Sequence, residues 1–263
     1  MNEVPEGKNM EGTYERFIAS CPWCGRRNVF NRASDLGDFE PIDHKDVSCL
    51  FPDCSKPFFL TGDTINPAYE MVIYDCYELI EQKYYAYCIL NLCQSFELFF
   101  SQYLRVELVY RPFASGVRDE RLDLDIRHFN DLRNLLYARL RGLTFEPMRN
   151  LFFCLVLRGP GPGSLEEAER LVRIFPCYPG VPSDDEIRAA AISGNERVRE
   201  SLLRLKSCKV HELRNEVVHK SGYRPNLSEV KDALEETRQI LFPLGHDLKV
   251  QIDDLNWYMT QRA

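Results

Sequence analysis

The chain has 263 residues, of which 44% are hydrophobic and 28% are charged, and its formal net charge is −7. This composition supports one large domain or two modest ones with buried cores, and it argues against a disordered chain. The negative net charge argues against a protein that coats nucleic acid through bulk electrostatics, but it leaves room for a local basic cleft.

The first residues, Met1 to Lys8, are polar and lack the basic start and apolar core of a signal peptide. The most apolar stretch, residues 84–108, is interrupted by Asn, Gln, Glu and Arg side chains that a bilayer span would not carry. We therefore expect a cytoplasmic protein with no membrane partner. In that reducing compartment the ten cysteines are expected to be free or metal-bound, not paired in disulfides.

Residues 13–66 are rich in Cys, Pro, Asp and Phe, with short apolar runs, and they predict short β-strands and loops. Two cysteine pairs in this region, Cys21/Cys24 and Cys49/Cys54, have the spacing of metal ligands. Two such turns from different hairpins complete a tetrahedral site. Soft thiolate ligands in a closed tetrahedron favour a structural Zn²⁺ ion, so a β-rich zinc ribbon is predicted.

Two alternatives accompany the zinc site. The second cysteine pair is wider than the usual Cys-x-x-Cys, so His44 is a reserve ligand. Cys-x-x-Cys also occurs in thioredoxin-type redox sites, which need a long helix after the motif. Residues 26–31 predict a strand there, which favours zinc. Because a lobe of this size has little core, metal binding is expected to supply much of its folding free energy.

Residues 67–263 predict a mainly α domain. Apolar residues at three- and four-residue steps predict one helix or a helix pair that starts near Glu70 and ends before Pro112. Further helices are predicted over residues 123–141, 146–157, 164–175, 184–192 and 195–219, and from a cap at Ser228 to Leu241. Residues 250–258 predict a strand or a short helix, and the Gly-Pro-Gly-Pro-Gly run at 159–163 predicts a flexible loop.

The helical segment from 210 to 220 contains the residues of chemical interest. At about 100° per residue its apolar side chains form one narrow stripe, which predicts a core face: Val210, Leu213 and Val217. Its polar side chains share another arc: His211, Arg214, Asn215 and His219. The spacing of four between His211, Asn215 and His219 stacks them along the helix.

These residue types suit metal-independent RNA cleavage, in which a ribose 2′-hydroxyl attacks the adjacent phosphate. Histidine is the side chain that most readily transfers protons near neutrality, so His219 is the candidate general acid or base. Arg214 offers a planar fork of donors for the phosphate charge, and Asn215 can orient either group. The alternative is an ordinary solvated helix face, on which these residue types are common.

The segment Leu213–His219, Leu-Arg-Asn-Glu-Val-Val-His, resembles the Arg-x(4–6)-His motif of HEPN domains, including the polar residue after the arginine. HEPN domains are small helical bundles, and many are metal-independent endoribonucleases whose two copies form one composite cleft. The resemblance implies a HEPN-like bundle over roughly residues 70–245. It assigns the scissile phosphate to Arg214, general acid or base catalysis to His219 and a supporting role to Asn215, with 2′,3′-cyclic phosphate products.

Two further residues are candidates for support. Glu97, inside the first long helical pattern, resembles an acidic residue that often faces the HEPN motif, whereas His211 has no family counterpart. HEPN toxins silenced by a nucleotidyltransferase antitoxin have a tyrosine two residues after the histidine. Ser221 stands there in this chain, so control by nucleotidylation of a tyrosine is not expected.

Local charge and domain order complete the hypothesis. Residues 195–224 contain eight Lys or Arg and four Asp or Glu, and residues 127–149 contain five Arg and two acidic residues, which predicts a basic patch if they pack together. A Cys-Pro-x-Cys-Gly ribbon before the bundle resembles defence-associated toxins.

The expected function is a dimeric HEPN endoribonuclease, a toxin or antiviral effector. Expected partners are RNA, including tRNA, a second copy, and an antitoxin or defence-system protein. The alternative is a non-catalytic HEPN-like dimerising adaptor whose zinc ribbon docks a partner protein.

Overall fold

The computed structural model describes residues 16–31, 35–36, 45–60, 67–116, 122–174, 180–190 and 196–250. His44, the reserve ligand, and the tail after Val250 lie outside these residues. The chain divides into two compact units, with a boundary between Pro67 and Ala68. The described residues before this boundary are called the ribbon unit, and those after it the helical unit.

The ribbon unit consists of two antiparallel β-hairpins. Strand β1 (Arg16–Ser20) pairs with β2 (Arg27–Asn31), and β3 (Lys45–Ser48) pairs with β4 (Pro57–Leu60). Its small core consists of Ala19, Cys21, Phe30, Leu36, Cys49, Phe58 and Leu60. The prediction of short strands in this region is confirmed, and each hairpin turn contains one of the two cysteine pairs.

The helical unit contains ten described helices, so the prediction of a mainly helical chain with a small β region is confirmed. They are α1 (Ala68–Glu81), α2 (Tyr85–Arg105), α3 (Arg111–Gly116), α4 (Leu122–Leu140), α5 (Phe145–Arg158), α6 (Leu165–Ile174), α7 (Asp184–Ala189), α8 (Glu196–Ser207), α9 (Val210–His219) and α10 (Leu227–Asp247). In the part of the chain that is described, no helix has the length and apolarity needed to cross a membrane.

Helix α2 is the centre of this unit, since α1, α5, α9 and α10 all pack against it. Its aromatic side chains interlock with those of α5. The ring centroids of Phe96 and Phe100 lie 5.6 and 5.7 Å from that of Phe145, and the Phe99 centroid lies 5.5 Å from that of Phe152. Such edge-to-face contacts add to the burial of large apolar area. The N-terminal turn of α5 is therefore firmly held against α2.

The expectation that the first helical segment ends before Pro112 is wrong. A π-helical turn, Val106–Tyr110, continues α2 directly into α3, and Pro112 is the second residue of α3. The N–H of Arg111 bonds to the carbonyl of Val106, five residues back. A proline ring clashes with the carbonyl four residues back in a regular α-helix, and the wider π turn relieves this clash.

Two other helix limits also differ from expectation. The helix predicted over 195–219 is two helices, α8 and α9. They are separated by Cys208, which is buried, and Lys209, which is exposed. The last helix is capped by Asn226 and not by Ser228, because the Asn226 side chain accepts from two backbone N–H groups in a capping box. It continues past Leu241 to Asp247, with Pro243 inside it.

Candidate functional site

The four ribbon cysteines form one cluster at the tips of the two hairpins. Cys21 and Cys24 lie in the β1–β2 turn, while Cys49 and Cys54 lie in the β3–β4 turn. Their sulfur atoms all lie within 4.8 Å of one another. Two cross-hairpin pairs, Cys21–Cys54 and Cys24–Cys49, have Sγ–Sγ distances of 3.8 Å. The structure thus brings the four predicted ligands together around one point.

This arrangement fits a tetrahedral metal ion. With a metal–sulfur distance of about 2.3 Å, the edge of a four-sulfur tetrahedron is about 3.8 Å. Burial raises the pKa of the Cys21 thiol to about 12, whereas the backbone N–H of Arg26 lowers that of Cys24 to about 6. A divalent cation favours the thiolate form of every ligand, so it would offset the cost of ionising the buried thiol.

Each cysteine turn closes with a residue in the left-handed region directly after the second cysteine. In the first turn this residue is Gly25, with φ of 70°, and its N–H donates to the Cys21 carbonyl at 2.8 Å. In the second turn it is Ser55, with φ of 46°, and its N–H donates to the Phe51 carbonyl at 2.9 Å. Glycine adopts this φ freely and serine does not, so only the first turn has the signal visible in sequence.

Contacts between the two turns were not anticipated from the sequence. The buried side chain of Asn28 accepts from the N–H of Leu50 at 2.7 Å and donates to the Arg26 carbonyl at 3.1 Å. The indole of Trp23 donates to the Pro57 carbonyl at 2.8 Å. These bonds fix the separation of the hairpin tips, and hence the shape of the cysteine cluster.

Helix α9 is only partly covered by the rest of the helical unit. Of its predicted core stripe, Val210 is buried, but Leu213 and Val217 are half-buried and the neighbouring Val218 is 47% exposed. The stripe is therefore a shallow contact with α2 and not a core face. A short helix on the edge of a bundle keeps most of its polar side chains near solvent.

A chain of hydrogen bonds joins three of the five predicted residues of the helical unit. Arg214 donates from Nη1 to Asn215 Oδ1 at 3.0 Å, and Asn215 Nδ2 lies 3.3 Å from His211 Nε2. All three side chains are half-buried. The spacing of four on a helix correctly placed His211 beside Asn215.

Glu97 lies on α2 and is half-buried. Burial raises the pKa of its carboxyl, while the nearby Arg214 guanidinium and the backbone N–H of Phe145 oppose that rise. Burial raises the pKa of the nearby Cys93 thiol to about 12, and the charge of Arg214 opposes this rise without overcoming it. Glu97 therefore lies in the field of Arg214, although no ion pair between them is found among the described residues.

His219 occupies a different environment from the other candidates. It is the last residue of α9, it is exposed, and within the described ranges no hydrogen bond or ion pair joins it to another side chain. In the row His211–Asn215–His219, a hydrogen bond therefore joins His211 to Asn215, and none among the described residues joins Asn215 to His219. Arg214 and His219 of one chain stand five residues apart on the same helix.

Three residues of α5 lie at this face of α9, and local residue patterns did not predict their contacts with His211. The Phe145 ring stacks on the His211 ring with a centroid distance of 4.9 Å and an interplanar angle of 6°. The Arg149 guanidinium carbon lies 5.4 Å from the centroid of the Phe145 ring, and Glu146 Oε1 lies 3.8 Å from His211 Nδ1. Contacts between residues so far apart in the chain have no periodic signature.

The expected basic patch is less uniform than the residue counts indicated. Arg197, Lys206 and Lys220 each form an ion pair with a carboxylate, and Arg199 pairs with Glu196. Arg149 and Arg214 form no ion pair among the described residues. The junction of α5 and α9 therefore contains two arginines without a carboxylate partner in the described ranges.

No family model, curated protein or solved structure matches the chain. The resemblance to HEPN domains accordingly rests on the residues of the 213–219 segment and their surroundings.

Proposed function

We propose that the helical unit is a metal-independent endoribonuclease of the HEPN type. One observation supports the proposal most directly. Helix α9 carries both Arg214, which is held in place by a hydrogen bond, and His219, which has no side-chain partner among the described residues. Asn215 holds the Arg214 guanidinium, which has no carboxylate partner in the described part of the chain. His219 is exposed at the helix end and free to exchange a proton with a ligand.

The proposed active centre needs two copies of the chain. Five residues advance an α-helix by about 7.5 Å and rotate it by about 140°, so Arg214 and His219 of one chain do not converge on one phosphate. A two-fold arrangement of α9 helices supplies Arg214 from one copy and His219 from the other. The exposed Val218 beside His219 provides apolar surface for that contact.

In the proposed reaction the ribose 2′-oxygen attacks the adjacent phosphorus and the bond to the 5′-oxygen breaks. His219 removes the 2′-hydroxyl proton, or returns a proton to the departing 5′-oxygen. Arg214 stabilises the negative charge on the phosphate oxygens. The products are a 2′,3′-cyclic phosphate and a 5′-hydroxyl, and the chemistry requires no metal at this site.

The test is cleavage of total RNA and tRNA by the purified full chain in excess EDTA, with analysis of the ends. We expect His219→Ala and Arg214→Ala each to lower the rate by about a hundredfold or more. The matched controls are His246→Ala and Arg188→Ala, which remove exposed side chains elsewhere and should leave cleavage unchanged. Absence of cleavage by the wild type, or full activity of His219→Ala, rules the proposal out.

For the ribbon unit, the proposed ion is a structural zinc held by Cys21, Cys24, Cys49 and Cys54. Four thiolates at tetrahedral spacing suit zinc because the ligands are soft and the site leaves no open position for a substrate. His44 is not needed to complete a four-cysteine set. The expected stoichiometry is one zinc ion per chain, measured by atomic absorption on protein purified without added metal.

A second candidate function, an adaptor whose ribbon docks a partner protein, is supported by a different observation. Each cysteine turn presents an apolar side chain to solvent, since Trp23 is 37% exposed and Leu50 is 51% exposed. In this case Leu50→Ala, which leaves the Trp23–Pro57 bond in place, would weaken binding of the partner and keep the fold. Ribonuclease activity that depends on His219 separates the two candidates.

A further inference from the structure

At the junction of α5 and α9, the buried Phe145 ring contacts both His211 and Arg149. Phe145 is 1% exposed and is held at its edges by Phe96 and Phe100. The His211 imidazole lies flat on this ring, and the Arg149 guanidinium lies over it. Two potential phosphate ligands from different helices are therefore positioned by one buried aromatic side chain.

Both arginines at this junction lack an anionic partner within the described ranges. Arg149 and Arg214 are half-buried, and Arg149 Nε is buried without a hydrogen-bond partner. Both lie near His211, because Arg149 lies over the Phe145 ring on which His211 stacks and Arg214 is linked to His211 through Asn215. Burial lowers the pKa of His211 and the two arginine charges lower it further, whereas Glu146 opposes this. Guanidinium groups withdrawn from water without a counter-ion are costly, so an anion bound here would be stabilising.

The hydrogen-bond chain determines which nitrogen of His211 carries its proton. Arginine can only donate, so the Asn215 oxygen must face Arg214 and the Asn215 amide nitrogen must face His211. That amide donates to His211 Nε2, which therefore accepts. The proton of the neutral ring then resides on Nδ1, on the side of Glu146 and α5.

The Nδ1–H group is left as an available donor. Glu146 Oε1 is 3.8 Å away, beyond hydrogen-bond distance, and its side chain is 60% exposed and free to move aside. Other carboxylates near the junction are Glu97, which is half-buried near Arg214, and the exposed Glu212. Glu236 lies beside Cys208, a thiol that Arg149 also influences. A neutral donor near two guanidinium groups suits the oxygens of a phosphate, to which arginine binds as a planar fork.

We infer that Arg149, Arg214 and the Nδ1–H group of His211 form a phosphate-binding site that is complete within one chain and holds a phosphodiester of RNA. The choice of RNA as the ligand rests on the proposed function, but the site itself does not. His211 is a positioning and binding residue here and not the proton-transfer group. Because Arg214 belongs to both sites, in a dimer Arg149 and His211 would extend the Arg214–His219 centre and help to hold the phosphate bound there.

The test uses fluorescence anisotropy with a short single-stranded 2′-O-methyl RNA, which has no nucleophile and is not cleaved. Binding is thus measured whether or not the protein cuts RNA, so the two proposals fail separately. Arg149→Met keeps the aliphatic stem, and His211→Phe keeps the stack on Phe145. We expect each to weaken binding roughly tenfold, equivalent to about 1.4 kcal/mol.

Salt dependence separates a cationic from a neutral contact. Loss of one phosphate contact by a cation reduces the slope of log K against log salt by about 0.7 for single strands. Arg149→Met should show this reduction, while His211→Phe should weaken binding with the slope unchanged. Arg188→Met, an exposed arginine on α7, is the control of equal charge and should resemble the wild type. Wild-type binding by both site variants, or equal loss in Arg188→Met, overturns the inference.

Nitrogen-15 NMR of the histidine side chains tests the tautomer directly. The wild type should show His211 protonated at Nδ1, with its resonance shifting on addition of the oligonucleotide. Asn215→Asp replaces the donor by an acceptor, so the proton should move to Nε2 and binding should fall. A wild-type His211 protonated at Nε2, or one whose resonances ignore the oligonucleotide, contradicts the proposed site.

Discussion

Different interactions stabilise the interior of the ribbon unit and the interior of the helical unit. In the ribbon unit, four of the residues that make up or pack against the core are cysteines, and polar bonds from Asn28 and Trp23 tie the two hairpins. In the helical unit, buried aromatic and aliphatic side chains on α2 and α5 supply the cohesion. A small β lobe cannot bury enough apolar surface alone, whereas a bundle of this length can.

The largest expected effect is loss of the ribbon unit when a ligand is removed. Cys24→Ser should abolish binding of the metal ion, which supplies on the order of 10 kcal/mol to the folding of small structural sites. In a Trp257→Phe background, Trp23 fluorescence reports on the ribbon unit, while far-UV circular dichroism reports mainly on the helices. We expect the fluorescence to shift toward that of solvent-exposed tryptophan and the helical signal to persist.

The control for this experiment is Cys154→Ser, a half-buried cysteine on α5 outside the cluster. It should retain the metal ion and the native fluorescence. If Cys24→Ser keeps both, the four-cysteine cluster does not hold the metal, and the contrast between the units fails.

The next effect concerns packing in the helical unit. A Cβ at Gly245 on α10 would overlap with the hydroxyl of the buried Tyr69, and it would lie 3.1 Å from Tyr69 Cζ. Gly245→Ala should therefore lower the free energy of unfolding by about 1–3 kcal/mol. Gly163→Ala has open space around it and should change stability by less than about 0.5 kcal/mol. Denaturant titrations followed by circular dichroism measure both, and equal stabilities would show that α1 and α10 are loosely packed.

A smaller effect is expected at the polar tie of the ribbon unit. Asn28→Ala leaves the N–H of Leu50 without its acceptor and should cost about 1–2 kcal/mol. Asn28→Asp keeps an oxygen for Leu50 but loses the donor to the Arg26 carbonyl, so its cost should be intermediate. Thermal unfolding followed by Trp23 fluorescence in the Trp257→Phe background checks the order. Wild-type stability of Asn28→Ala would mean that the Asn28 bonds do not set the geometry of the tips.

The smallest effect is a pH dependence confined to the helical unit. Burial lowers the pKa of His211 from 6.5, so the folded ring binds a proton less readily than the unfolded one. Both states are neutral above 6.5, and stability is lost as the pH falls through that value toward the folded pKa. We expect the melting temperature to fall less steeply in mild acid for His211→Phe than for the wild type. His219→Phe removes an exposed histidine without a side-chain partner in the described ranges and should follow the wild type; parallel curves for all three would contradict the prediction.

Local sequence patterns predicted the parts of the fold that depend on local rules. The cysteine spacings, with Gly25 after the first pair, identified the four residues that the structure brings together. Three- and four-residue periodicity predicted most helices of the second unit, and the spacing of four placed His211 beside Asn215. Proline and the polar cap were misread, because Pro112 is accommodated by a π turn and Asn226 outcompetes Ser228 as the cap.

Local residue patterns were enough to identify the four clustered cysteines, the mainly helical class and the row of polar residues on α9, since each depends on neighbours within a few positions. Contacts between distant segments set which of those polar residues lie together and what surrounds them. Phe145 and Arg149 reach His211 only because α5 and α9 both pack on α2, and His219 stays exposed because α9 ends there. Residue spacing fixes direction along a helix, but only packing between distant segments fixes what a side chain faces.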